Sequence, residues 1–118
     1  MSNAASQASD FYESAVKNGA VFTFQDDDGY LVFPIRGIEV VPFWSSRERC
    51  ERVQTQHPKY LNWTIVSESL QEFMSETLAL FETEKIHVGI NWSGRQLTGY
   101  DMSVKDMRKN IESLLNKQ

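Results

Sequence analysis

Apolar and polar positions alternate along this chain with a period that changes several times, and each change marks an element. Residues 9–18 carry a short helical pattern. Ser9 is placed to cap it, Asp10 and Glu13 suit the N-terminal dipole, and Gly19 suits its end. Its apolar positions are Phe11, Ala15 and Val16, few enough for a covering helix. The pattern then turns to β-branched and aromatic residues in "AVFTFQDDDGYLVFP". Asp28-Gly29 between two such runs predicts a hairpin, with glycine supplying the positive φ. Pro34 ends the second strand or lies on an edge. Arg36-Gly37 is a second turn, and "IEVVPFW" a third strand ended near Pro42, which gives a three-stranded meander.

Residues 45–57 read as a helix opened by a capping box, Ser45 as N-cap and Glu48 at N3. Phe43 and Trp44 then point to opposite faces, one buried and the other free to be a contact residue. "PKYLN" is a loop and "WTIV" a short strand. Ser67 caps a helix over 68–83, where Leu70, Phe73, Met74, Thr77, Leu78 and Phe81 form a continuous apolar face. "IHVGINW" is a strand, and "QLTGY" a short strand pairing back. Ser103 and Asp106 open a last helix with the stripe Val104, Met107, Ile111 and Leu114. The expected fold is α+β: a mainly antiparallel sheet, the meander plus one to three further strands, with about four helices packed on one face. Residues 1–8 are expected to be a flexible tail and 9–118 a single domain.

Composition narrows the function. The 118 residues carry 12 Lys and Arg against 16 Asp and Glu, a net charge of −4 that disfavours nucleic-acid and membrane partners. The last helix holds Lys105, Arg108, Lys109 and Lys117 against Asp106 and Glu112, too slight an excess for a basic groove. Cys50 is the single cysteine, so neither a disulfide framework nor a cysteine-based zinc site is expected. The N-terminus lacks the basic and apolar regions of a signal peptide, and no apolar run is long enough to span a bilayer, so a cytoplasmic location is expected.

Several patterns suggest chemistry and do not sustain it. Aligning Gly29 with the glycine of a calcium loop puts Phe24 and Ile35 at the two end ligand positions, so the aspartates read as a hairpin tip. "GINWSGRQ" has the glycine spacing of a phosphate loop, but Arg95 and Gln96 stand where Lys and Ser/Thr are required. The sequons at Asn62 and Asn91 need a secretory route. His57 lies two helical turns from Cys50, roughly 10 Å away and too far to act as its base. Cys50 therefore reads as a buried packing residue beside Val53. His57 and His87 show no metal-ligand spacing, and no metal or cofactor is expected.

Glu68, Glu72 and Glu76 recur every fourth residue, a like-charge stripe that a basic partner would relieve. Trp44, Trp63, Trp92, Tyr60 and Tyr100 fall near strand ends, where they either plug the sheet or form a binding surface.

The order and spacing of "VFTFQDDDGY", "VPFWSSRERCERV", "LQEFMSETLALFETEKIHVGINW" and "LTGYDMSVKDM" resemble the bacterial domain-of-unknown-function family 2750, over roughly residues 11–115. The resemblance implies a short single-domain bacterial protein with no established activity, and usually Ala at the position of Cys50. It supplies no catalytic or ligand residues. Two functions stay open. The first is a non-catalytic protein-interaction module, immunity- or antitoxin-like, whose partner is a basic protein or a second copy and whose acidic face is Glu68, Glu72 and Glu76. The second is a small-molecule or anion-binding protein or enzyme, with an aromatic wall and guanidinium clamp at Trp44, Arg47, Trp92, Arg95 and Tyr100.

Overall fold

A computed structural model describes residues 4–117. The first helix, α1, is Ala4–Asn18, so the expected tail is helical from Ala4 and Ser9 is an exposed residue within the helix. Residues 1–3 of that tail lie outside the described residues. The early start follows from packing, because Gln7 and Ala8 are buried against the rest of the fold. Gly19 ends α1 at φ 68°, its N–H donating to the Ala15 carbonyl at 2.8 Å.

Strands β1 (Ala20–Asp26) and β2 (Gly29–Tyr30) form the expected hairpin. The Asp28 N–H donates to Asp26 Oδ1 at 2.8 Å, and Gly29 takes φ 122°. Strands β3 (Phe33–Ile35) and β4 (Ile38–Phe43) form a second hairpin. Arg36 and Gly37 both have positive φ there, 52° and 81°, as a twist-matched two-residue turn requires. The meander nevertheless does not run on, because β2 ends after two residues and β3 starts a different sheet. The orders are β2-β1-β5 and β3-β4-β6-β7, where β5 is Thr64–Ser69, β6 is His87–Ile90 and β7 is Asp101–Met102. The pairings are antiparallel except β4 with β6, which is parallel.

Trp44 joins the two sheets. Its N–H and C=O exchange hydrogen bonds of 2.7 and 2.8 Å with Phe22, on the edge of β1 that β2 leaves open. Pro42 therefore lies inside β4 rather than ending it. Between β3 and the Trp44 bridge that edge has no strand partner, so the missing N–H costs no ladder bond. Its carbonyl accepts instead from the buried Thr23 hydroxyl at 2.7 Å. Pro34 lies in β3, an edge strand.

Helix α2 is Arg47–Gln56, and its N-cap is Ser46, whose Oγ accepts from the Arg49 N–H at 3.2 Å. The expected capping box is thus one residue out of register. Ser45 is buried and bonded to Asn91 instead. Ser46→Ala is expected to cost about 1 kcal/mol, and urea denaturation reads it directly. The next helix, α3, covers residues 70–84 and is capped by Ser69, two residues later than expected. Strand β5 persists to Ser69 because its pairing with β1 continues to Ala20. The predicted face of α3 is apolar as expected, with Leu70, Phe73, Thr77, Leu78 and Phe81 buried. Phe73–Thr77 widens to a π-helical turn, and the Met74 carbonyl there takes Arg108 Nη1 at 2.7 Å. Helix α4 is Val104–Leu115, capped by Ser103 through the Asp106 N–H as predicted.

The strands separate two cores. Helices α1, α3 and α4 pack with Val21, Val41, Phe43, Val88 and Ile90 on one face. On the other, α2 lays Cys50 and Val53 against Phe24, Val40, Trp44, Tyr60 and Trp92. Helices thus cover both faces, not one. Phe43 and Trp44 do point to opposite faces, but both are buried, each in its own core. No helix among the described residues is long and apolar enough to cross a membrane.

Candidate functional site

The structure brings Trp44 and Trp92 together, in the core. Trp44 is 1% and Trp92 3% exposed, so neither offers a ring face to a ligand. Their polar atoms are used internally: Trp44 Nε1 donates to the Trp92 carbonyl at 2.8 Å, and Trp92 Nε1 to the Tyr100 carbonyl at 2.9 Å. Two glycines make room for the Trp92 ring. A Cβ at Gly89 or Gly99 would lie 2.6 Å from it, which explains a glycine inside the strand pattern of "IHVGINW". Arg47 and Arg95 are exposed and do not line the shallow depression of about 200 Å³ beside the tryptophans. Arg49 and Arg52 are the guanidinium groups there. Arg49 also pairs with Asp10 at 3.3 Å. Tyr100 is exposed. The expected aromatic wall is therefore a plug of the sheet end, and the expected clamp is not assembled.

Asn91 organises this end of the molecule. It is fully buried in the left-handed region at φ 47°. Its Oδ1 accepts from the Ser45 N–H at 2.9 Å, while Nδ2 donates to the Gln7 carbonyl at 3.1 Å and to Ser45 Oγ at 3.2 Å. One side chain thus links α1, the end of β4 and the end of β6. Nothing in the local sequence marks it, since its partners are 84 and 46 residues away.

A groove of about 480 Å³ lies between the β3–β4 hairpin and residues 96–101, lined by Phe33, Arg36, Trp92, Thr98 and Asp101 among others. At its margin His87 Nδ1 lies 2.8 Å from Asp101 Oδ2. Sequence reasoning missed this pair, which the β6–β7 pairing brings together. His57 Nε2 meets the Gly94 carbonyl at 2.9 Å. Among the described residues no cluster of three or more metal-ligating side chains occurs.

Cys50 is buried, and burial pushes its thiol up to about 12, with Arg47 lowering and Glu51 raising it. A thiol held protonated is a packing group rather than a nucleophile. Tyr30 is also raised to about 12, by burial first and then by its hydrogen bond to Glu68. Both groups are raised above their unfolded values of 9.0 and 10.0, so their contribution to stability is present below pH 9. It is lost as pH rises toward about 12, because the unfolded chain ionises first. The urea midpoint is expected to fall progressively above pH 9, and Cys50→Ala to remove the earliest part of that fall.

The three glutamates do not form one stripe. Glu68 is on β5, half-buried, with Oε2 accepting from Tyr30 Oη at 2.7 Å and Oε1 from Thr77 Oγ1 at 2.5 Å. Glu72 and Glu76 are exposed on α3. The exposed carboxylates of Asp26, Asp27 and Asp28 stand at the other end of β5, where Gln25 pairs with Thr64.

Comparison with known proteins adds the family. No curated protein matches the chain. Among solved structures, Tic22 from Plasmodium falciparum is similar at 16% identity and a TM-score of 0.41, over 91% of this chain and 76% of that one. The profile of the family described as "Protein of unknown function (DUF2750)" matches residues 8–111, nearly the whole chain from within α1 to within α4, and the chain belongs to that family.

Proposed function

We propose that the protein is a non-catalytic interaction module of the bacterial cytoplasm that binds a basic protein partner, in the manner of an immunity protein or antitoxin. The observation that carries this reading is the placement of exposed carboxylates at both ends of β5. Asp26, Asp27 and Asp28 stand at one end, and Glu72 and Glu76 at the other, on a chain of net charge −4. Helix α2, over one face of that region, is nearly balanced, with Arg47, Arg49 and Arg52 against Glu48 and Glu51. Such a field steers a cationic partner and repels a second acidic copy. The protonated, buried Cys50 supports the same reading, because it removes the one strong nucleophile from chemistry.

The test is affinity capture from the native host at low and high salt, with light scattering on the purified chain. A stoichiometric basic protein that is released as salt rises is the expected result. Recovery of a monomer and no protein partner overturns the reading. The groove at Arg36 and Asp101 favours a second function, binding of a small anion. A thermal shift with inorganic phosphate that Arg36→Ala removes would support it.

A further inference from the structure

The sheet order leaves β5 at an edge, and that edge is unlike the others. Strands β2 and β7 are two residues long, and β3 has three residues including Pro34. These are the usual ways in which a protein blunts an edge. Strand β5, Thr64–Ser69, is six residues long, carries neither proline nor lysine, and pairs with β1 on one side alone.

The direction of its free backbone groups follows from β1. Phe22 faces Ser67 across the ladder, yet both backbone groups of Phe22 bond to Trp44, away from β5. Phe24 faces Ile65, and its carbonyl accepts from Leu31 N–H, again away from β5. In an antiparallel ladder such residues form the non-hydrogen-bonded pairs, so Ile65 and Ser67 turn their N–H and C=O outward. Among the described residues no hydrogen bond reaches these four groups. Ser67 is exposed and Ile65 half-buried, and the ends Thr64 and Ser69 are exposed.

We infer that β5 is a docking edge that takes an extended, lysine- or arginine-rich segment of the partner as an added strand. The inference rests on the interaction-module reading and names how that module binds. Main-chain bonds to Ile65 and Ser67 supply the pairing. Charge selects the occupant: a segment of about six residues, some 20 Å long, spans from the aspartates of the β1–β2 turn to Glu72. A second copy fits less well, because antiparallel self-pairing about Ser67 brings two Glu68 carboxylates near each other on a chain that is already acidic.

The test uses the whole protein and two acetylated hexapeptides, Val-Lys repeated three times, and the same peptide N-methylated at every residue. The second keeps charge and side chains but has no N–H to donate. The unmethylated peptide is expected to shift the Ile65 and Ser67 amide resonances and slow their hydrogen exchange at least about tenfold at saturation. The methylated peptide and Ser67→Pro are expected to weaken binding at least about tenfold. The methylated arm keeps the test decisive if Ser67→Pro fails to fold. Equal binding of the two peptides, shifts confined to another surface, or no binding overturns the proposal. A wild-type dimer that Ser67→Pro dissociates also overturns it, by giving the edge to a second copy. A host partner retained by a folded Ser67→Pro removes the docking edge and leaves the interaction module standing.

Discussion

Asn91→Ala is expected to lower the free energy of unfolding by about 3–5 kcal/mol, a large share of the roughly 5–15 kcal/mol typical of a domain. Two separable causes contribute. The first is polar. Truncation leaves the buried Ser45 N–H without its acceptor and removes a second donor from the Gln7 carbonyl, which keeps its partner within α1. The orphaned N–H costs about 1–3 kcal/mol, and the lost hydrogen bond to the Gln7 carbonyl about 0.5–1.5 kcal/mol. The second is the backbone. Asn91 holds φ 47°, where alanine pays about 1–2 kcal/mol and asparagine or glycine much less. Asn91→Gly isolates the polar part, since it keeps the backbone conformation accessible. Glycine is expected to be less damaging than alanine by about 1 kcal/mol in urea denaturation. Equal losses would show that backbone strain plays no part, and losses below about 1 kcal/mol in both would show that the linkage of α1, β4 and β6 is dispensable.

The elements were legible where local periodicity and burial agree. Helix α4 begins at its expected cap, and the apolar face of α3 is the predicted one. The second hairpin turn falls on Arg36-Gly37 as expected, and the first on Asp27-Asp28, with Gly29 supplying the positive φ at the start of β2. What escaped was set by distant partners. Ser45 and Ser46 are interchangeable as local caps, and only Asn91, 46 residues away, decides between them. Likewise Ser67 precedes an apolar run, but pairing with β1 keeps it in a strand. The meander failed because its second strand breaks after Tyr30, so that β2 pairs with β1 while β3 pairs with β4 in the other sheet.

The candidate sites were less legible than the fold. Aromatics at strand ends fit a plug and a binding wall equally well, and only burial tells them apart. The acidic stripe assumed that Glu68 is helical. Once Glu68 is in β5 its carboxylate is taken by Tyr30 and Thr77, and the exposed acids regroup around the strand ends. An open edge cannot be read from one segment at all, since it is defined by which strand is not beside it.

Trp44→Ala is expected to cost about 3–5 kcal/mol, by loss of a large buried ring and the cavity left behind. Phe24 packs edge-on to that ring at a centroid distance of 5.2 Å, so its own packing loosens with it. Trp44→Phe keeps an aromatic body and the backbone bridge to Phe22, but leaves the Trp92 carbonyl without its indole donor. Its expected cost is smaller, about 1–3 kcal/mol. The pair of variants also separates the two roles this residue could have. A core plug predicts that Trp44→Phe lowers the urea midpoint while partner capture from the host is unchanged under conditions where it is folded. A contact residue predicts the reverse, weaker capture at unaltered stability. The 1% exposure of Trp44 and the internal use of its N–H favour the first outcome. On the docking-edge proposal, Ser67→Pro rather than Trp44→Phe is then the change expected to weaken capture.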